Sequence, residues 1–225
     1  MNFDYTYIIL FGFKIFEPMV IVTNGIFFAL CTICYARLKK FPHYYSKHMS
    51  LFLLMLGSSS LFGAAGHAVH LQLGDFCFKV ILFFMNLLSI LSIYFCFRVS
   101  YMYQNLNNIP QKKYINLVKI WLVILLIACV IIENFVLITI HAGLVLIYML
   151  IVHYLVNKEF PDKGNKYVIA GILISFISIG AHSLKITIHE WYNHKDLAHT
   201  GMIISLIFIY KGARRISQKL EALLS

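Results

Sequence analysis

Residues 78–102 read FKVILFFMNLLSILSIYFCFRVSYM, an apolar run of about 25 residues. A helix of that length crosses the roughly 30 Å hydrocarbon core of a bilayer. Similar runs recur along the 225 residues, of which 60% are hydrophobic and 12% charged. Hydrocarbon admits only helices or closed barrels, and these runs do not alternate as barrel strands do. The composition therefore excludes an ordinary soluble domain and indicates membrane-spanning helices.

The sequence predicts an all-α membrane protein, a single domain (1–225) that forms a seven-transmembrane-helix bundle. The expected helices cover about 7–38, 49–73, 78–102, 114–132, 135–156, 167–189 and 196–214. Most of the 19 Lys and Arg residues fall in the loops after the first, third and fifth helices and in the tail. By the positive-inside rule, this distribution predicts an N-terminus outside and a C-terminus in the cytoplasm. The net charge of +10 then reflects topology, and no nucleic-acid partner is expected.

The chemistry of the chain gathers in residues 189–199, which read HEWYNHKDLAH just before the last apolar run. In the predicted topology, His67 and His70 at the end of the second helix lie at the same outer level. Glu17 belongs to the outer half of the first helix. Ionisable groups at membrane depth cost roughly 2.5–3.5 kcal/mol each and usually face a cavity or a partner. We therefore expect a polar site in the outer half, between helices two and seven.

The spacing of these residues points to a metal site. His67 and His70 are three residues apart, as are Asp196 and His199, so each pair shares a helical face. Imidazole and carboxylate bind zinc, which commonly takes three protein ligands and keeps one position for water. The predicted zinc ligands are His67, Asp196 and His199, with His194 or His70 as a further ligand.

Simpler interpretations stay open for the same residues. A single histidine in a membrane helix is more often a hydrogen-bonding partner between helices than a ligand. His189, Glu190 and His194 fit a solvated outer loop. Asp196 also fits an N-cap or first-turn acid at the positive end of the helix dipole.

Three segments resemble an uncharacterised bacterial family of seven-helix membrane proteins. They are EPMVIVTN at 17–24, the G-x-x-x-H pattern at 63–67, and NHKDLAH at 193–199. The family pattern is EP-x-T-x-x-T-D, a histidine on helix two, and NHNDLxH. This sequence has Asn24 where the family more often has Asp, and Lys195 in place of Asn. The resemblance implies a multi-pass protein of a bacterial inner membrane and does not indicate which activity the protein has.

The layout is similar, more remotely, to the CREST superfamily of seven-helix membrane hydrolases, which includes alkaline ceramidases and adiponectin-type receptors. That resemblance implies a zinc ion held by His67 from helix two and by His199 as the last ligand of helix seven. The H-x-x-x-H of the superfamily is absent, since residue 195 is lysine. Asp196 or His194 would then supply the third ligand.

The leading functional prediction is a zinc-dependent intramembrane hydrolase of a lipid-like amide or ester, with membrane lipids as partners. Zinc would activate a water molecule, and Asp75 or Glu17 would act as the general base or orient that water. The alternative is a non-enzymatic membrane sensor or interaction protein with a structural or proton-responsive histidine network. A haem or retinal protein fits less well. For retinal, the reason is that its Schiff-base lysine belongs in mid-helix, whereas Lys211 lies near the end of its span.

Overall fold

The computed structural model describes residues 6–69, 72, 74–107, 120–121, 123–124, 127–128 and 136–223. Within them the regular structure is helical apart from one β-hairpin. The elements are β1 (Tyr7–Leu10), β2 (Phe13–Phe16), α1 (Pro18–Leu38), α2 (Tyr44–Val69), α3 (Asp75–Leu106), α4 (Val136–Glu159), α5 (Lys163–Ser183) and α6 (His194–Ala222). The helices α1 to α5 are long and apolar enough to cross a membrane. The all-α class is confirmed, with five candidate membrane spans, and the seven spans with their orientation stay predictions.

The helices form a closed ring. Each described helix contacts the next one along the chain, and α6 returns to pack against α1. All six helices contribute to the wall of a central, mostly apolar cavity of about 200 Å³. The ring brings the start of α1, the end of α2 and the start of α6 to the same end of the bundle.

Small residues allow α5 and α6 to approach closely. A Cβ atom added to Gly171 would lie 2.9 Å from the Ser205 carbonyl oxygen, and one on Gly212 would lie 2.5 Å from that of Gly164. The Ser205 hydroxyl donates to the Gly171 carbonyl at 2.8 Å. Close backbone approach with hydrogen bonds between helices is typical of packing in membranes. It holds α6 firmly against the ring.

The prediction of one helix over 7–38 is wrong in its first part. Residues 7–16 form the antiparallel hairpin β1–β2, with Tyr7 paired to Phe16. Its turn residues, Phe11 and Gly12, both have positive φ angles, of 52° and 83°. A two-residue turn with positive φ at both positions matches the twist of paired strands. The helix begins only at Pro18, which takes the first helical position.

Other helix limits also differ from the predicted ones. The sixth predicted helix, 167–189, is α5, which begins at Lys163 and ends at Ser183. It stops there because Lys185 adopts a left-handed conformation with φ of 52°, and residues 184–193 form a loop. The seventh, 196–214, is α6, which begins two residues earlier and extends to Ala222. The second and third helices, α2 and α3, are longer than predicted.

The fourth predicted helix, 114–132, lies mostly outside the described residues. Those of its residues that are described are helical.

Candidate functional site

The site begins at Glu17, the residue that joins the hairpin to α1. Glu17 adopts a left-handed conformation (φ 49°, ψ 56°) at the N-cap of α1. Its backbone N–H donates to the Thr6 carbonyl at 2.9 Å, which closes the base of the hairpin. A left-handed conformation is unfavourable for a residue with a side chain and persists only where its surroundings hold it. The result is a glutamate that is only 4% exposed and points into the end of the bundle.

Two cationic or protonatable side chains hold the carboxylate of Glu17. The ammonium of Lys195 donates to Oε1 at 2.7 Å and to Oε2 at 2.8 Å. Nδ1 of His67 lies 2.7 Å from Oε2. Burial raises the pKa of Glu17, but the hydrogen bonds from His67 and Lys195 outweigh it and lower that pKa to about 2. Glu17 is therefore ionised at every physiological pH, and its negative charge joins α1 to α2 and α6.

A capping box places Lys195 at the start of α6. The Asn193 side chain accepts a hydrogen bond from the Lys195 N–H at 2.8 Å. In return, Oδ2 of Asp196 accepts from the Asn193 N–H at 3.1 Å. Such reciprocal bonds satisfy donors that a helix start leaves unpaired. Asp196 is thus a first-turn acid, as one of the simpler interpretations predicted, and the N-cap itself is Asn193.

His199 lies one turn further along α6 and faces α1. Its Nδ1 atom is 3.1 Å from Nδ2 of Asn24 and 3.3 Å from the Thr23 hydroxyl. Asn24 also donates through Nδ2 to the Val20 carbonyl at 2.8 Å, which fixes the orientation of its amide. Because that amide nitrogen only donates, Nδ1 of His199 must accept, and the ring proton of a neutral His199 is on Nε2.

Glu17, His67, Lys195, Asp196 and His199 together form what we call the Glu17 cluster. Within it, the Thr23 hydroxyl links Asp196 to His199, since it lies 3.4 Å from Oδ1 of Asp196 and 3.3 Å from Nδ1 of His199. A cavity of about 250 Å³ lies beside the cluster. It is lined by Glu17, His67 and Lys195 at one end and by apolar side chains of α2 and α3 elsewhere.

Of the other predicted site residues, the described ones, Asp75 and His194, lie outside this cluster. Asp75 is exposed in the first turn of α3 and is not among the residues that line the cavity. The His194 ring packs against the ring of His182 with centroids 5.2 Å apart. Partial burial, with the positive charges of His182 and Lys195, lowers the pKa of His194. His70 lies outside the described residues.

The arrangement does not fit the predicted zinc site. In the described part of the chain, no group of three or more His, Cys, Asp or Glu side chains converges so that it could hold a metal ion. The Lys195 ammonium takes up both oxygens of Glu17, and Nδ1 of His199 faces an amide that only donates. Only His67 is oriented as a ligand would be, because its Nδ1 faces a carboxylate.

Lys195 is the functional residue that the sequence did not reveal. In the family motif, Lys195 stands out only as a departure from asparagine. A signal was present, because a lysine in the first turn opposes the positive end of the helix dipole. Such a residue is stabilised only by a negative partner, and Glu17 is that partner.

A second polar cluster lies at the opposite end of the bundle. His153, with 0% exposure, places Nδ1 at 2.8 Å from Oδ1 of Asn165. Its ring stacks on Tyr103 at 4.8 Å, and Tyr45 lies 5.0 Å from Tyr103. We call these four residues of α2 to α5 the His153 cluster. Among the described residues, Nε2 of His153 and the Tyr45 hydroxyl have no hydrogen-bond partner.

An all-helical ring with five candidate spans and a charged network at one end is compatible with a multi-pass integral membrane protein. The chain belongs to the family of unknown function DUF6962, whose model matches residues 19–218. No curated protein and no solved structure matches the chain.

Proposed function

We propose that the chain is a membrane sensor or interaction protein, and that its Glu17 cluster is a proton-responsive network. The observation that carries this proposal is that two side chains bind one buried carboxylate. Lys195 and His67, from two different helices, both donate to Glu17. Histidine is the side chain whose charge changes near neutral pH, so one of these two contacts depends on protonation.

The charges of the cluster favour His67 as its protonation site. With neutral histidines and both carboxylates ionised, Glu17 and Asp196 are negative and Lys195 is positive, so the cluster carries one net negative charge. A proton on His67 would neutralise that charge and turn the contact with Glu17 into an ion pair. A proton on His199 would face the Asn24 amide, which only donates, and would add to the charge of Lys195. We therefore place the responsive proton on His67.

Protonation has a structural consequence because three helices meet at Glu17. A charged His67 competes with Lys195 for the same carboxylate and pulls it toward the end of α2. The ion pair between Lys195, at the start of α6, and Glu17, at the start of α1, is then weakened. A local charge change that shifts the balance between packed helices is the usual basis of a pH-dependent membrane switch. The alternative prediction from sequence thus has the stronger structural support.

The proposal includes the topology predicted from the basic loops. The chain would cross a bacterial inner membrane seven times, with the Glu17 cluster on the outer side and membrane lipids around it. Tags on the two ends test this orientation. Only a C-terminal tag should be reached from the cytoplasm, and a reversed result would place the cluster on the cytoplasmic side.

NMR of the protein labelled with ¹³C-histidine tests the proton site directly. The chain has 10 histidines, and each signal is assigned by the loss of a peak in a His→Gln variant. We expect the His67 signal to change with pH, and Lys195→Met to alter that change. His153, whose ring has an amide rather than a carboxylate as its partner, serves as the matched control. A His67 signal that does not change with pH while the protein stays folded would overturn the proposal.

A zinc-dependent lipid hydrolase is the second candidate, favoured by one observation. His67 faces Glu17 through Nδ1, the orientation that metal-bound histidines take toward a carboxylate. Elemental analysis of the purified protein, with His67→Ala and His199→Ala variants, separates the two candidates. About one zinc ion per chain, lost in both folded variants, would replace the proton network by a metal site. A metal-free, folded protein would exclude the hydrolase.

A further inference from the structure

The β1–β2 hairpin exposes an unusual amount of apolar surface. Phe11 is 92% exposed, Ile9 and Phe13 are each 66% exposed, and Leu10 is 50% exposed. Phe11 also occupies a turn position with φ of 52°, where glycine or asparagine is the favourable residue. A large aromatic side chain held in an unfavourable conformation at an exposed tip indicates a contact outside the chain.

The exposed side chains lie on both faces of the ribbon. Successive residues of a strand point to opposite faces, so Tyr7 and Ile9 lie on one face and Ile8 and Leu10 on the other. All four are at least 40% exposed. A protein partner would cover one face of a two-stranded ribbon, whereas an apolar liquid covers both. The distribution therefore favours lipid over a docked protein.

The position of the hairpin agrees with a lipid contact. Only Glu17 separates β2 from α1, the first candidate membrane span. The bond from the Glu17 N–H to Thr6 holds the base of the ribbon at that boundary. Lys14 places its ammonium 4.9 Å from the centre of the Tyr7 ring, so its charge is partnered within the hairpin. Aromatic residues at the edge of a span are typical of the membrane interface.

The backbone limits how deep the hairpin lies. A ribbon of two strands has two outer edges whose N–H and C=O groups lack a ladder partner. In hydrocarbon each such group costs several kcal/mol, whereas the headgroup region supplies water and polar partners. We propose that the hairpin is an interfacial membrane anchor. It lies at the boundary of headgroups and acyl chains, with the Phe11 and Phe13 rings toward the chains.

This anchor is independent of the proton site, although the two are connected through Glu17. The Thr6–Glu17 bond ties the hairpin to the left-handed residue that presents the carboxylate. A hairpin lifted out of the interface would therefore disturb the Glu17 cluster. The anchor itself requires only lipid and no particular protonation state.

Spin labelling in liposomes of phosphatidylcholine and phosphatidylglycerol tests the anchor. In the full chain with its five cysteines replaced, a nitroxide is attached at Phe11→Cys or Ile9→Cys. Ile177→Cys in α5, at a position 71% exposed, is the lipid reference. Lys40→Cys, in an exposed loop, is the water reference. Oxygen collides preferentially with labels in lipid, and a water-soluble nickel chelate with labels in water.

We expect the hairpin labels to favour oxygen over nickel and to report a shallower depth than the Ile177 label. A label accessible to nickel would place the hairpin in water and overturn the anchor. A label protected from both reagents would show that a protein, or a second copy of this chain, covers it, which would also overturn the proposal.

A variant that keeps the turn separates anchoring from folding. Phe11→Asn retains a residue that tolerates positive φ while it removes the apolar tip. The label at Ile9 should then become more accessible to nickel. An unchanged label would show that the Phe11 ring makes no contribution to anchoring.

Discussion

The Glu17 cluster and the His153 cluster occupy opposite ends of one helical ring and differ in charge and in exposure. Each connects several helices through a histidine. The Glu17 cluster contains a full ion pair, and His67 is 37% exposed beside a cavity. In the His153 cluster, the hydrogen bond joins an imidazole to an amide, and both His153 and Tyr45 are 0% exposed. The first cluster places a carboxylate beside its histidine, and the second places an amide there.

The difference shows that a histidine in a membrane protein is not by itself evidence of a site. The Asn165 amide oxygen accepts from His153, and the stacked Tyr103 ring covers it, so a charged imidazole there would lack a counterion. His67 has the Glu17 carboxylate at 2.7 Å, which stabilises the charged ring. The partner, more than the depth, decides the role.

Loss of the central carboxylate should have the largest effect. Glu17→Gln leaves the Lys195 ammonium without its counterion, and breaking one side of a buried pair costs about 3–5 kcal/mol. Unfolding in mixed micelles should show this loss in the free energy of unfolding. The double variant Glu17→Gln, Lys195→Met is the control and should recover most of it. Equal losses in the single and double variants would mean that the uncompensated charge of Lys195 is not the cause of the loss.

The pH dependence of that loss follows from the pKa of Glu17. Its pKa falls from 4.5 to about 2 on folding, so its stabilising contribution is complete above the unfolded value and disappears as pH falls toward 2. This shift corresponds to about 3 kcal/mol. The difference between wild type and Glu17→Gln should shrink as pH falls below 4. A difference that stays the same from pH 5 down to pH 2 would mean that Glu17 is not held as an ion pair in the fold.

A smaller effect is expected in the other cluster. His153→Phe keeps a ring against Tyr103 but leaves the Asn165 oxygen without its His153 donor, at a cost of about 1–3 kcal/mol. Unfolding in mixed micelles at pH 8 should show this loss in the free energy of unfolding. An unchanged free energy of unfolding would mean that the bond between His153 and Asn165 contributes nothing.

The smallest effects are expected from the helix caps beside each cluster. Asn193→Ala removes the N-cap of α6. Asp162→Ala removes the N-cap of α5, where the Asp162 carboxylate accepts a hydrogen bond from the Gly164 N–H at 2.5 Å. Each should lose about 1 kcal/mol of unfolding free energy. Only Asn193→Ala should also change the NMR signal of His67, because Asn193 donates at 3.5 Å to Glu17, the residue that His67 contacts. A shift in the Asp162 variant would show coupling across the bundle.

Much of the site was predictable, and its chemistry was not. Motif spacing singled out Glu17, His67, Asp196 and His199, and the structure brings these four to one end of the ring. Asp75, in the first turn of α3, is exposed and lies outside the Glu17 cluster. The roles differ because spacing places a residue on a face but does not give the partner of each nitrogen and oxygen. Contact with Lys195 makes Glu17 one half of an ion pair.

Composition and run length alone predicted the helical fold, because hydrocarbon allows few backbone conformations and each apolar run must be helical to cross it. They did not distinguish a hairpin from a helix in residues 7–16, where a short apolar run has no decisive period. The positive φ angles at Phe11, Gly12 and Glu17, which end the strands and start α1, appear only in the folded chain. Tertiary structure alone decided that Lys195 lies on Glu17, since 178 residues separate them and only the closed ring brings them together.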